Sequence, residues 1–231
     1  MNLLVKKTLA PLTAAACLWA IAVSASAATI PGLFNTGVLD DGTVAASGAV
    51  DLHYLLITSA DPNFPGPNTY VANPIPAGLW LANSATSRWI GPAVNQGYPT
   101  GAAAHPIGDY TYRLTIDLTG LDPATASITG NWAADNNGPF IRLNGVATVG
   151  NAAPVFTSLK AFTISSGFVA GINTLDFVVR NTSASGSNPT GLRVSDIAGT
   201  ADVAVVPAPA AGWLLGTGLL WLVRSRRPLQ S

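Results

Sequence analysis

Residues 110–118 alternate without a break. Tyr110, Tyr112, Leu114, Ile116 and Leu118 fall on one side, and Thr111, Arg113, Thr115 and Asp117 on the other. A period of two marks a strand with one buried and one wet face, because successive side chains point to opposite faces of a sheet. An amphipathic helix would repeat its apolar residues every three or four positions instead. Such a strand needs a covered face, and neighbouring segments can supply the cover. Ala126, Ile128, Gly130 and Trp132 share one parity. Phe162 and Ile164 alternate with polar neighbours before Gly167. Leu175, Phe177 and Val179 follow Gly171, and Leu192 and Val194 mark a late strand. Earlier, Val50, Leu52, Tyr54 and Leu56 alternate, and Trp89-Ile90 lies in a short strand.

Turn residues separate these segments. Residues 120–124 turn the chain, and Asp135-Asn136-Asn137-Gly138 reads as a polar turn. Asn144-Gly145, just after the short strand 140–143, is the strongest hairpin signal, since both residues tolerate the positive φ of a type I′ turn. Pro62, Pro65, Pro67, Pro74 and Pro76 make residues 61–77 a loop, and Ser, Gly and Asn make residues 181–190 an exposed one. Between Thr29 and Val205 there is no convincing amphipathic helix and no repeat of fixed period, which argues against a solenoid or propeller. Many short strands divided by Gly and Pro predict an all-β fold, a jelly-roll β-sandwich.

The two ends read as addresses. Lys6 and Lys7, an apolar run over residues 9–23 and Ala25-Ser26-Ala27 form a signal peptide, with cleavage expected between Ala27 and Ala28. Alternatives are an uncut membrane helix, or lipidation at Cys17, where Ala14 stands in place of the usual Leu. At the other end an apolar stretch, residues 210–223, is followed by Arg224, Arg226 and Arg227. That stretch is short for a bilayer, which needs about 20 residues, and counting back to Val203 gives enough length. Arginines on one side only place the C-terminus in the cytoplasm and the main domain outside. The organisation expected is therefore a signal helix over 1–27, an extracellular β-sandwich over 28–205 and a tail with a transmembrane helix over 206–231.

Charge narrows the function. Only 10% of residues are charged, against roughly 25% in ordinary soluble domains. The net charge is zero. Away from the two ends, however, the eleven acids, all of them Asp, outnumber the basic residues. A nucleic-acid partner would need a basic surface, so none is expected. Cys17 is the only cysteine, so the domain between the addresses has neither a disulfide nor a thiol nucleophile.

Pro207-Ala208-Pro209, a Trp/Leu/Gly-rich apolar segment and the closing arginine cluster together resemble the PEP-CTERM sorting tail of exported bacterial proteins. Ala208 stands where that family usually has Glu. The resemblance implies recognition by an exosortase, a membrane cysteine peptidase that would cut near Pro-x-Pro, after export by the secretion machinery. It implies transient anchoring by the C-terminal helix and a final place at the cell surface or outside the cell. The stretches 110–120, 130–136, 141–145 and 168–177 also resemble the galactose-binding-like jelly rolls of exported proteins, which often bind carbohydrate.

The candidate ligand residues follow from chemistry. Trp80 and Trp89 lie in or near loops, where an indole face could stack on the C–H patch of a sugar ring; a core role competes for both. Trp132 shares the inward parity of Ile128 and reads as core. Asp135, Asn136 and Asn137 could hydrogen-bond sugar hydroxyls or ligate Ca²⁺, as could Asp40-Asp41-Gly42, although turn-forming roles compete here too. An EF-hand is excluded, because its loop ends in Glu. His53 falls on the wet face of its strand and His105 in a loop before Pro106. No nucleophile elbow or histidine-rich metal motif accompanies them. The expectation is a non-catalytic exported protein that associates with exopolysaccharide and needs no cofactor. The alternatives are a self-associating matrix component and a glycan hydrolase using paired aspartates.

Overall fold

The computed structural model describes residues 26–97, 104–148, 154–182 and 187–205. The expected signal segment up to residue 25, Pro207, Ala208 and Pro209, the apolar run behind them, and Arg224, Arg226 and Arg227 lie outside the described residues. Among the described residues no helix is long and apolar enough to cross a membrane.

The named elements are all strands, in two antiparallel sheets. The first sheet has the order β3 (Tyr70–Val71), β4 (Ile90–Gly91), β11 (Gly191–Asp202), β6 (Ser127–Asp135) and β9 (Lys160–Ile164), and β1 (Ala27–Thr29) also pairs with β11. The second has the order β2 (Tyr54–Thr58), β5 (Gly108–Asp117), β10 (Ile172–Asn181), β7 (Asn137–Leu143) and β8 (Val146–Ala147). Together they form the expected β-sandwich.

Register explains how the two faces meet. In the second sheet Leu175 pairs with Leu114, Phe177 with Tyr112 and Val179 with Tyr110, so the apolar rows of β5 and β10 lie side by side. In the first, Val194 of β11 pairs with Trp132 of β6. All these residues are buried. Phe177 sits at the centre: its ring lies 5.6 Å from Trp132, 5.7 Å from Phe162 and 6.1 Å from Tyr54, centroid to centroid. These edge-on and tilted arrangements are the favoured ones for aromatic pairs. Gly130 of β6 leaves room for this packing, since a Cβ there would come within 2.7 Å of the Phe162 ring. The hairpin forms as the sequence predicts, with Asn144 at φ 51° and Gly145 at φ 82° between β7 and β8.

Three expectations need correction. Val50 and Leu52 are 38% and 61% exposed, so the alternation begins only at Tyr54. The cause is buried Asp51. Its Oδ1 accepts the backbone N–H groups of His53 and Tyr54, and its Oδ2 that of Gly37, so the carboxylate caps the strand start and redirects the chain. The polar turn expected over residues 135–138 is a crossing between sheets: β6 ends at buried Asp135 and β7 begins at Asn137, so the chain changes sheet at Asn136. The 181–190 loop is not simply exposed either, because Asn181, Asn188 and Thr190 are buried. The amides of Asn181 and Asn188 both donate to the carbonyl of His105.

The strand directions give the sandwich two distinct poles. β5, β7, β9 and β11 end at one pole, where β6 and β10 begin. The N–H of Leu118 donates to Gly171 O and that of Ala204 to Gly120 O, closing this pole across both sheets. The domain also enters and leaves here, with Val203 N donating to Ser26 O at 3.1 Å.

Truncation at the centre should be costly. Phe177→Ala removes a fully buried ring that joins both sheets, and a loss of about 3–5 kcal/mol is expected in denaturant unfolding. A loss under about 1 kcal/mol would show that the two sheets are not held together at this ring.

Candidate functional site

The outward face of the first sheet carries Ala133 and Arg193, and a second apolar cluster covers it. Ala72, Trp80, Trp89 and Ala133 form that cluster, with Ile75, Leu81, Phe156 and Leu159 packed around it. The two indoles contact each other with centroids 4.3 Å apart. Trp89 is fully buried and its Nε1–H donates to Leu81 O at 2.7 Å. Trp80 is 5% exposed and its Nε1–H donates to Asp135 Oδ2 at 2.9 Å. Arg193 reaches into the same layer, donating from Nε to Ser87 Oγ and from a terminal nitrogen to Ala82 O. The sugar-stacking expectation for Trp80 and Trp89 is thus corrected. Their faces are spent on holding a loop layer to the sheet, and neither is open to a ligand.

Asp135, Asn136 and Asn137 do not converge. Asp135 is buried under the Trp80 layer, and its Oδ1 has no hydrogen-bond partner among the described residues. Burial pushes its carboxyl up to about 7, and the Trp80 bond lowers it only in part. Asn136 turns the other way, its Oδ1 accepting the N–H of Thr182. Asn137 pairs with Arg180 in the second sheet. Asp41 is a turn residue: its Oδ1 accepts both the hydroxyl and the N–H of Thr43, and those bonds hold its carboxyl below the ordinary value. Among the described residues no three of His, Cys, Asp and Glu come together as a metal site.

The histidines are also placed differently from expectation. His53 is not on a wet face. Its ring lies flat on Phe34 at 3.6 Å, with a side chain 9% exposed, and its Nε2 is 3.6 Å from Asp40 Oδ1. His105 is buried between two partners that sequence reading missed. Its Nδ1 is 2.9 Å from Asp61 Oδ2 and its Nε2 3.1 Å from Gln96 Nε2. The Gln96 amide also donates to Ala93 O and accepts from Thr190 N. This sets the tautomer: Nδ1–H donates to the carboxylate and Nε2 accepts from the amide. Burial lowers the His105 pKa, with Asp61 opposing in part. An Asp–His pair can serve a nucleophile only through a free Nε2. Here Gln96 occupies it, so the trio clamps loops together. Residues 61, 96 and 105 stand in three separate loop positions, and no local spacing signals them.

An open cleft lies where β8 and β9 approach, at the pole where β7 and β9 end. It measures about 350 Å³, at the small end of ligand clefts. Buried Leu143 and Ile164 form an apolar floor, and the rim mixes exposed Val146 and Ala147 with Asn144, Thr148, Thr163, Ser165 and Ser166. Among the described residues no charged one lines it. The walls are tied by two asparagines. Asn144 donates from Nδ2 to Gly167 O and Asn173 Oδ1 and accepts the Thr174 N–H. Asn173, fully buried, bonds both backbone groups of Val169. In sequence Asn144 reads as a turn residue only, and Asn173 carries no signal. Ser165 and Ser166 are exposed.

Asp135 gives a test with a defined sign. Its carboxyl is raised in the folded state, so the native chain holds a proton that the unfolded chain releases near 3.8. Its contribution to stability is therefore complete below about 4 and falls as pH rises through about 7, by about 4 kcal/mol at most. Asp135→Asn keeps an acceptor for Trp80 and cannot ionise. Its unfolding midpoint should exceed that of the wild type at pH 8, and the gap should close towards pH 5. A gap independent of pH would mean that Asp135 ionises freely.

The chain matches no protein-family model and no curated protein at a significant level. Among solved structures it is similar to the CBM36-1 domain of a multidomain xylanase from the hindgut metagenome of Trinervitermes trinervoides. The likeness spans 79% of this chain and 100% of that domain, at 10% identity and a TM-score of 0.28, which is too loose to carry a residue or a ligand across.

Proposed function

We propose that the sandwich is an exported, non-catalytic module that associates with neutral polysaccharide at the cell surface, using the cleft between β8 and β9. The observation that carries this reading is the lining of that cleft. An apolar floor of Leu143 and Ile164 suits the C–H face of a sugar ring, and the hydroxyl and amide rim suits its hydroxyls. The absence of charge in the lining favours neutral sugars over uronates. Hydrolysis of a glycoside needs two carboxyl groups facing across the bond, and the described lining residues offer none. The signal segment and the Pro207-Ala208-Pro209 tail support export and exosortase sorting, with the domain anchored in the membrane until the tail is cut. No Ca²⁺ or other cofactor enters this reading.

A self-associating matrix role is the second reading. One observation favours it: Leu52, Leu55 and Ile57 stand 40–61% exposed at and just before β2, an apolar strip of the kind that recruits further chains.

Calorimetric titration of the full chain with neutral and uronate-containing oligosaccharides separates these readings. Saturable binding of a neutral oligosaccharide is expected, unchanged by a calcium chelator and at least tenfold weaker in Ser165→Trp, which fills the cleft from an exposed position. If nothing binds more tightly than millimolar and the chain self-associates on concentration, the matrix reading replaces the first.

A further inference from the structure

The two apolar address segments leave the sandwich at the same point. Ser26 and Val203 are hydrogen-bonded neighbours at the pole where β1 meets the end of β11. The N-terminal apolar run ends at Val23, three residues before Ser26, and the C-terminal one begins at Ala210, five residues after Val205. Fully extended, those connections reach about 11 Å and about 18 Å. Val203 cannot lend length to the C-terminal span, because it is bridged to Leu121 in the fold. That leaves the proline-free run at 210–223, and a helix of that length would cover about 21 Å of a hydrocarbon core about 30 Å thick. A span that short draws whatever precedes it towards the bilayer.

The pole at that point is apolar. Val146, Val169, Ile172, Val203 and Val205 are 50–72% exposed there, on the β7–β8 hairpin, the β9–β10 connection and the end of β11. Among the described residues the charged ones of this pole are Asp117, Asp122 and Asp202, and its loops at 118–126, 144–145 and 165–171 contain no Lys or Arg. We infer that the unprocessed chain sits on the membrane by this pole, with the exposed valines and Ile172 seated in the lipid interface. The occupant is a bilayer surface held by apolar contact rather than by anionic headgroups.

The test uses the full chain in phosphatidylcholine vesicles containing brominated lipid, in a Cys17→Ser background. A fluorophore is placed on cysteine at Val146, at Val169, or at Thr182 on the opposite pole. Several-fold stronger quenching at positions 146 and 169 than at 182 is expected, without enhancement by added phosphatidylglycerol. Amide hydrogen exchange on the unlabelled chain should show protection gained over residues 165–172 and not over 104–107. Equal quenching at the two poles, quenching at neither, protection gained alike at both, or failure to sediment with the vesicles overturns the inference.

Discussion

β11 joins more separate pieces of chain than any other described strand. On one side it pairs with β6 from Gly191 to Thr200. On the other it takes up β1, then Thr36, whose N–H and hydroxyl both meet Val194 O, and then β4 at Leu192. Its bulge between Ser195 and Ala198, with Asp196 at φ 55°, re-aims the strand between those two sets of partners. Its inward side chains, Leu192 and Val194, close the inter-sheet core, and outward Arg193 anchors the loop layer. The first and last segments of the domain are thereby held in one ladder. That tie matters in a domain without disulfides, where sequence-distant contacts must come from pairing and packing alone.

Around this frame the structure has three layers rather than two. The sheets enclose one core, and the segments at 72–89 and 154–159 cover the outer face of the first sheet with another. The third layer accounts for the buried polar groups. Asp135, Arg193 and the Asp61–His105–Gln96 trio sit where loop meets sheet, and most of their bonds go to loop carbonyls, amides or indoles. Low charge in the sequence is therefore no sign of a simple interior. Several of its few ionisable groups are used inside.

Where the sequence carried a local rule, it was legible. The parity of residues 110–118, the inward set of Ala126, Ile128 and Trp132, and the Asn144-Gly145 hairpin need only neighbours in the chain to be read, and the structure contains each of them. The candidate site was much less legible. Trp80 and Trp89 look alike as ligand platforms or as core, because their fate depends on Ala133 and Asp135 in a distant strand. Val50 and Leu52 keep a perfect alternation, yet the three backbone bonds of Asp51 overrule it. The cleft depends on Asn144 and Asn173 meeting across 29 positions, which no periodicity reports.

β1 has a consequence for the order in which the two ends of the domain become fixed. Ala27 and Ala28 are both paired with β11, so the bond between them lies inside a finished ladder. β11 is the last named strand in chain order, so the bond between Ala27 and Ala28 stays outside this ladder until the end of the domain has been made. If the chain carries the proposed leader, a peptidase acting after Ala27 has that interval and no longer, because the docking of β11 closes the site.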